Sequence, residues 1–311
     1  MSNEWNIPRR YRVLASLAAG LALASTLLGA TSAQAAALDR IRQAGKVTFG
    51  YWADARPFSF AEGSSEPAGY SVALCGKVAE QIKAALGMAE LGVEWAPIAL
   101  GEHFTALEQG KIDLLCASSS VTLDSRKQAS FSIPIYPGGI AAMLRADSSK
   151  ALQDVLAGRP ASGPIWRGSP AQIVTGKTFS VVKDTAGETW LSERLQHFQL
   201  TATVVPVADY KAGVSSVLDG TSNVFFGERP TLIEAAAGSP SPDDLIILDR
   251  LFTSEPVALA MARNDDDFRL VVDRALSEFF PSTDFRELYT KWFGAPDDRI
   301  VTFIRQSALP E

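Results

Sequence analysis

Strand-like and helix-like runs alternate along most of this chain, and that alternation limits its fold more than any other feature. "KVTFGYW" is a run of β-favouring residues, whereas "YSVALCGKVAEQIKAAL" carries apolar residues at helical spacing and stops at Gly87. "GVEWAPIAL" reads as a strand, "EHFTALEQG" as a short helix ended by Gly110, and "IDLLCA" as a strand. After "FSIPIYPGGIAAMLRAD" the pattern restarts. "SKALQDVLAG" is helical, "RPASGPIWRGSP" is a loop, and "KTFSVVKD", "TATVVPVA" and "SNVFFGE" are strands. Between and after those strands lie the helical runs "AGETWLSERLQHF", "DYKAGVSSVLDG" and "RPTLIEAAAG". A last strand, "DLIILDRLF", leads into "TSEPVALAMARN", and the tail holds two helices, "DDDFRLVVDRALSEFF" and "STDFRELYTKWFG". Two α/β units in succession predict two lobes, each a mostly parallel sheet flanked by helices, with a ligand cleft between them.

The first residues read differently. Arg9, Arg10 and Arg12 precede the apolar run "VLASLAAGLALASTLLGA", and Ala33-Gln34-Ala35 is a small-x-small cleavage signature. This is the layout of a secretory signal peptide over residues 1–35. A membrane anchor is the other reading, but the run is Ala-rich, short for a span and ends in a cleavage site. Removing the three arginines and one glutamate of that segment takes the formal net charge from −6 to −8. Such a chain lacks the basic face that a nucleic-acid partner needs. The two cysteines, Cys75 and Cys116, are far apart and form no CxxC, so a metal site is not expected. In an oxidising compartment they form either one disulfide or two buried thiols.

Obvious catalytic chemistry is missing. The chain has two histidines, His103 and His197, neither near another candidate ligand in sequence, and contains no GxGxxG, Walker loop, HExxH or GxSxG motif. No cofactor is expected. Recognition groups, by contrast, cluster at strand ends. The hydroxyls of Ser118, Ser119 and Ser120 follow "IDLLCA", with Thr122 and Arg126 just beyond. Hydroxyls and freed backbone amides there suit a carboxylate, although a polar turn would look the same. The amides of Thr185, Ala186 and Gly187 open a helix and form an anion site or an ordinary cap. Glu228 follows an apolar strand and either pairs with an ammonium or serves as first-turn helix charge. Trp52 and Phe58 flank the first strand as ligand wall or as core. Together these groups describe a zwitterion site.

The order of these motifs resembles the family 3 periplasmic solute-binding proteins of ABC transporters, the polar amino acid binders. "PFSF…GYSVALCGKVAEQI", "LEQGKIDLLCASSSVTLDSRKQASFSIPIY", "KDTAGETWL", "EPVALAMARNDDDFRLVVDRAL" and "LYTKWFG" look like the family's segments in order, over residues 38–294. The resemblance implies two α/β lobes joined by two crossing strands near "YPGGIAAML" and "SEPVALAMA". Residues 38–138 and 254–311 would form lobe 1, and 139–253 lobe 2. It further implies Ser118, Ser120, Leu100 and the turn from Trp52 to Asp54 as the lobe 1 half of the site. Thr185, Ala186 and Glu228 would be the lobe 2 half. The family's layout also implies a Cys75–Cys116 disulfide within lobe 1.

The departures are specific. The family's carboxylate-clamping arginine falls at Ser125, and Arg126 is one residue late. In extended chain that shift turns the side chain to the other face. Either the ligand lacks a free α-carboxylate, or the serines and Arg126 replace the clamp. The expectation is therefore an exported, periplasmic, monomeric protein that captures a small polar solute. That solute is an amino acid or a close derivative, delivered to an ABC permease without catalysis. The rivals are a periplasmic enzyme similar to cyclohexadienyl dehydratase, for which Glu228 is the attractive acid–base candidate, and a sensor or accessory protein.

Overall fold

A computed structural model describes residues 36–61, 66–159 and 170–310. The signal-peptide reading of residues 1–35 and the loop expected over most of "RPASGPIWRGSP" lie outside the described residues.

The chain opens with helix α1 (Ala37–Ala44) and strand β1 (Lys46–Tyr51), followed by the small hairpin of β2 (Asp54–Ala55) and β3 (Ser59–Phe60). Helix α2 (Tyr70–Ala85), β4 (Gly92–Pro97), α3 (His103–Glu108) and β5 (Leu114–Ser120) complete the first α/β unit. A short helical turn α4 (Ser125–Gln128) leads to β6 (Ser130–Phe131) and β7 (Tyr136–Gly138). The second unit comprises β8 (Ile140–Arg145), α5 (Lys150–Leu156), α6 (Pro170–Val174), β9 (Thr178–Val182), α7 (Ala186–His197), β10 (Thr203–Val207), α8 (Tyr210–Leu218), β11 (Val224–Glu228), α9 (Arg229–Ala237) and β12 (Leu245–Ile247). Strand β13 (Glu255–Met261) then precedes α10 (Asp266–Phe279), α11 (Thr283–Phe293) and α12 (Asp298–Ser307).

The strands form two main sheets. The first runs β4-β1-β5-β13-β6, with β7 also paired to β13, and the second runs β10-β9-β11-β8-β12. Pairings within each α/β unit are parallel, β1 with β4 and β5, and β9 with β10 and β11. The strands beside the crossings are antiparallel, β13 against β5 and β8 against β11 and β12. Both sheets are therefore mixed rather than mostly parallel, because the chain re-enters each sheet from the other one and not through a helix. Pro206 sits in β10, an edge strand, where its missing N–H breaks no ladder.

Alternation of side chains decides what each sheet buries. Leu114 and Cys116 of β5 join one apolar cluster with Phe49, Leu74 and Phe268, while Leu115 and Ala117 join another with Leu107 and Phe131. In the second sheet Ala142 and Leu144 face one core and Ala141 and Met143 the other. Both sheets are thus apolar on both faces, as sheets covered by helices must be. Cys75 on α2 is bonded to Cys116 on β5, with Cα atoms 6.1 Å apart. The tail returns to the first sheet: Phe268, Leu276, Phe285, Tyr289 and Ile304 all enter its larger core. It does so with three helices where the sequence reading expected two.

The chain passes from the first sheet to the second between β7 and β8 and returns between β12 and β13. The passages lie close together. A Cβ on Gly139 would fall 2.5 Å from the Thr253 carbonyl oxygen, and one on Gly138 2.8 Å from that of Glu255. Only glycine lets two backbones approach so nearly.

Candidate functional site

A cleft of about 950 Å³ opens between the two sheets. Strand β5 delivers its C-terminal serines to it. Ser118 and Ser119 are buried and line the wall together with Ser120. From the second sheet come the end of β11, with Glu228, and the start of α7, with Thr185, Ala186 and Gly187. Trp52 and Leu100 complete the wall on the side of the first sheet. Leu100 packs against apolar clusters of both sheets, so it bridges the two halves.

Glu228 is the chemical centre of this cleft. Its residue is 9% exposed. The Ser120 hydroxyl, from the first sheet, donates to Oε1 at 2.9 Å, and the Gly139 N–H donates to Oε2 at 3.1 Å. Although Glu228 occupies the N-cap position of α9, its carboxylate makes no cap bond, which argues against a helix-cap role. Its own N–H donates to the Tyr210 hydroxyl at 3.3 Å. Burial, with a smaller contribution from the neighbouring Glu255, raises the Glu228 carboxyl to about 7, against the two hydrogen bonds that favour its charged form. Glu255, the first residue of β13, also lines the cleft, and burial raises its carboxyl too. Its Oε2 is buried without a hydrogen-bond partner, as are Ser119 Oγ and Trp52 Nε1.

The opposite pole offers backbone amides beside two acids, Asp184 and Glu188. Thr185 caps α7 by accepting the Glu188 N–H at 3.4 Å, and Glu188 in turn accepts the Asp184 N–H at 2.7 Å. The first N–H groups of α7, on Ala186 and Gly187, cannot be taken up within the helix and stand at the cleft. They can receive an anionic ligand group. His103 also borders the cleft. Its ring Nδ1 lies against the Leu100 carbonyl oxygen, to which it donates, and burial lowers its pKa against the opposing pull of that bond and of Asp184.

The structure gathers Trp52, Leu100, Ser118, Ser120, Ser125, Thr185, Ala186 and Glu228 around one cleft. It does not bring Arg126 or Asp54 into the wall. Residues 125–128 form a helical turn, not extended chain, so adjacent side chains point about 100° apart. Ser125 faces inward and Arg126 stands in solvent. The Ser125 hydroxyl is already used: it accepts the Thr122 N–H at 2.9 Å and lies 3.1 Å from the Ser120 carbonyl oxygen. Asp54 instead lies near the start of α8, on the second sheet's side, where burial and Asp209 raise its carboxyl against the opposing pull of Lys211. The sequence reading missed Glu255. Its signal was an acid opening an apolar strand at an expected crossing. Among the described residues, no group of three or more His, Cys, Asp or Glu side chains is placed to hold a metal ion.

The family model described as "Bacterial extracellular solute-binding proteins, family 3" matches residues 47–295. The "Glutamate/aspartate import solute-binding protein" of Salmonella typhimurium is 24% identical over 281 residues, 90% of this chain and 86% of its own length. Among solved structures, the ancestral amino acid-binding protein AncCDT-1, described as a precursor of cyclohexadienyl dehydratase, superposes with a TM-score of 0.68 at 20% identity. That match covers 83% of this chain and all of the other. A mutant of ArgBP from T. maritima gives a TM-score of 0.66 at 22% identity, covering 83% of this chain and 99% of its own.

Proposed function

Because the chain belongs to the bacterial extracellular solute-binding proteins, family 3, we propose that it captures an amino acid or a close derivative in this cleft and hands it to an ABC transporter permease. The observation that carries this reading is the bond from Ser120 to Glu228, which joins a hydroxyl of one sheet to a carboxylate of the other at the cleft floor. A site whose two halves come from two bodies is completed only on closure, and a ligand touching both halves stabilises the closed form. Residues 38–138 with 254–311 move as one lobe and 139–253 as the other, about the two crossings. Glu228 receives the ligand's cationic group. Ser118, Ser120 and the α7 amides receive its polar or anionic end, while Trp52 and Leu100 wall its stem. Residues 1–35 direct export, and the protein works in the periplasm as a monomeric, cofactor-free binder, not an enzyme.

A second reading has one observation in its favour. A buried carboxyl held near 7 can give or take a proton at neutral pH, so Glu228 would serve a dehydratase as acid or base. Turnover of prephenate or arogenate is its test. The binding reading is tested by thermal denaturation against a panel of amino acids, amines and small organic acids. A ligand at 100 times its Kd stabilises the fold by about 2.7 kcal/mol and raises Tm by several degrees. A panel that leaves Tm unmoved throughout contradicts solute binding.

A further inference from the structure

The charge of the cleft points to a narrower class of solute. Six acidic side chains border it, Asp124, Asp184, Glu188, Glu193, Glu228 and Glu255. Among the described residues, Lys127 is the one lysine or arginine in the wall, and it is engaged with Asp124 at 2.5 Å. Ser125 also lines the wall, but its hydroxyl is occupied by local backbone. At the floor two carboxylates, Glu228 and Glu255, flank the region of Ser120. The Thr253 and Ser120 hydroxyls lie close enough to favour the charged form of Glu255, yet its buried Oε2 has no hydrogen-bond partner, and the buried Ser119 Oγ, on a residue only 3% exposed, is likewise unpartnered in the same wall. A buried acceptor left unmatched is costly, and two carboxylates side by side repel. One ligand group removes both penalties: a cation with several N–H donors placed between them.

We propose that the natural solute carries net positive charge, and that its ammonium or guanidinium group bonds Glu228 and Glu255 together. This rests on the reading of the cleft as a solute site and adds which solutes it accepts. A basic amino acid and a carboxyl-free amine share the recognised chemistry. A neutral amino acid offers one cation but adds a carboxylate for which the wall supplies only amides and hydroxyls. An acidic amino acid, such as those in the name of the Salmonella relative, brings a further carboxylate against an already negative wall. The same wall, open to solvent, concentrates cations near the cleft mouth and speeds their entry at low salt.

The test is calorimetric titration of the purified protein with arginine, agmatine, glutamine and glutamate, repeated on Glu255→Gln. The proposal expects arginine or agmatine to bind at least tenfold tighter than glutamine, and glutamate weakest of all. It also expects the preference for the cation over glutamine to fall at least tenfold in Glu255→Gln. Which of arginine and agmatine is tighter tells whether a carboxylate is also recognised. Glutamine or glutamate binding as tightly as either cation overturns the charge inference while leaving solute binding intact. An unaltered preference in Glu255→Gln overturns the two-carboxylate seat. Should none of these four bind, and the wider panel also leave Tm unmoved, the reading of the cleft as a solute site fails with it.

Discussion

Raising the pH of the empty protein from 4.5 to 8 should cost it stability at Glu228. In the folded, empty state this carboxyl is held at about 7, against an ordinary value of 4.5. Between those values the folded state keeps a proton that the unfolded chain has released. Stability from this group is therefore fully present below pH 4.5 and is lost as pH rises through 7, the reverse of a salt-bridged carboxylate. The difference is worth roughly 3 kcal/mol. Glu255 and Asp54, both raised by burial, act in the same direction, so the effect of Glu228 must be isolated by difference. Urea unfolding of the wild type and of Glu228→Gln, followed in steps from pH 4.5 to 8, supplies that difference. The wild type should lose about 3 kcal/mol relative to the variant across this range. Curves that stay parallel would refute the argument, because they would mean that Glu228 ionises in the folded protein as easily as in water. The same proton competes with a cationic ligand. Arginine affinity should weaken on acidification below pH 7, approaching tenfold per pH unit.

Two further outcomes follow from the contacts described. Replacing Cys75 and Cys116 together by alanine opens a loop spanning a sequence separation of 41. It should lower stability by roughly 3–4 kcal/mol by loop entropy, as measured by denaturant unfolding. Asp54→Ala removes a contact with the start of α8 outside the cleft wall, so it should weaken every ligand alike, by about 1 kcal/mol or less, without changing their order, as read by calorimetry.

Much of this was legible in the sequence, and the limits have physical causes. Continuous apolar runs and helical spacing marked nearly every element of both sheets, because each sheet is buried on both faces and each helix on one. What the runs could not show was direction. The segments of β8 and β13 are read as crossings only through the family resemblance, and only the double passage between sheets makes them antiparallel. Helix α12 went unread although Ile300, Val301, Phe303 and Ile304 have helical spacing, because the recognised motifs stop before it. The serines, the α7 amides and Glu228 could be named because each ends a strand or opens a helix, where polar groups are freed from the ladder. Arg126 could be named only as a neighbour of Ser125: extended chain and the four-residue helical turn that forms both send it to another face, here by about 100° of rotation. Glu255 needs three dimensions: nothing along the chain places it beside Glu228, which the crossing of β7 and β13 does.

Arginine titrated into the wild type and into Glu228→Gln at pH 8, by isothermal calorimetry, tests most directly whether this carboxylate is the cation seat of a closing clamp. The variant keeps the shape and removes the charge. The account predicts one arginine bound per wild-type chain and a loss of about 1.5–3 kcal/mol, roughly tenfold to a hundredfold and more in Kd, on substitution. Equal affinity in the two proteins would contradict it, and would return Glu228 to the role of a buried acid that merely ties Ser120 and Gly139 together.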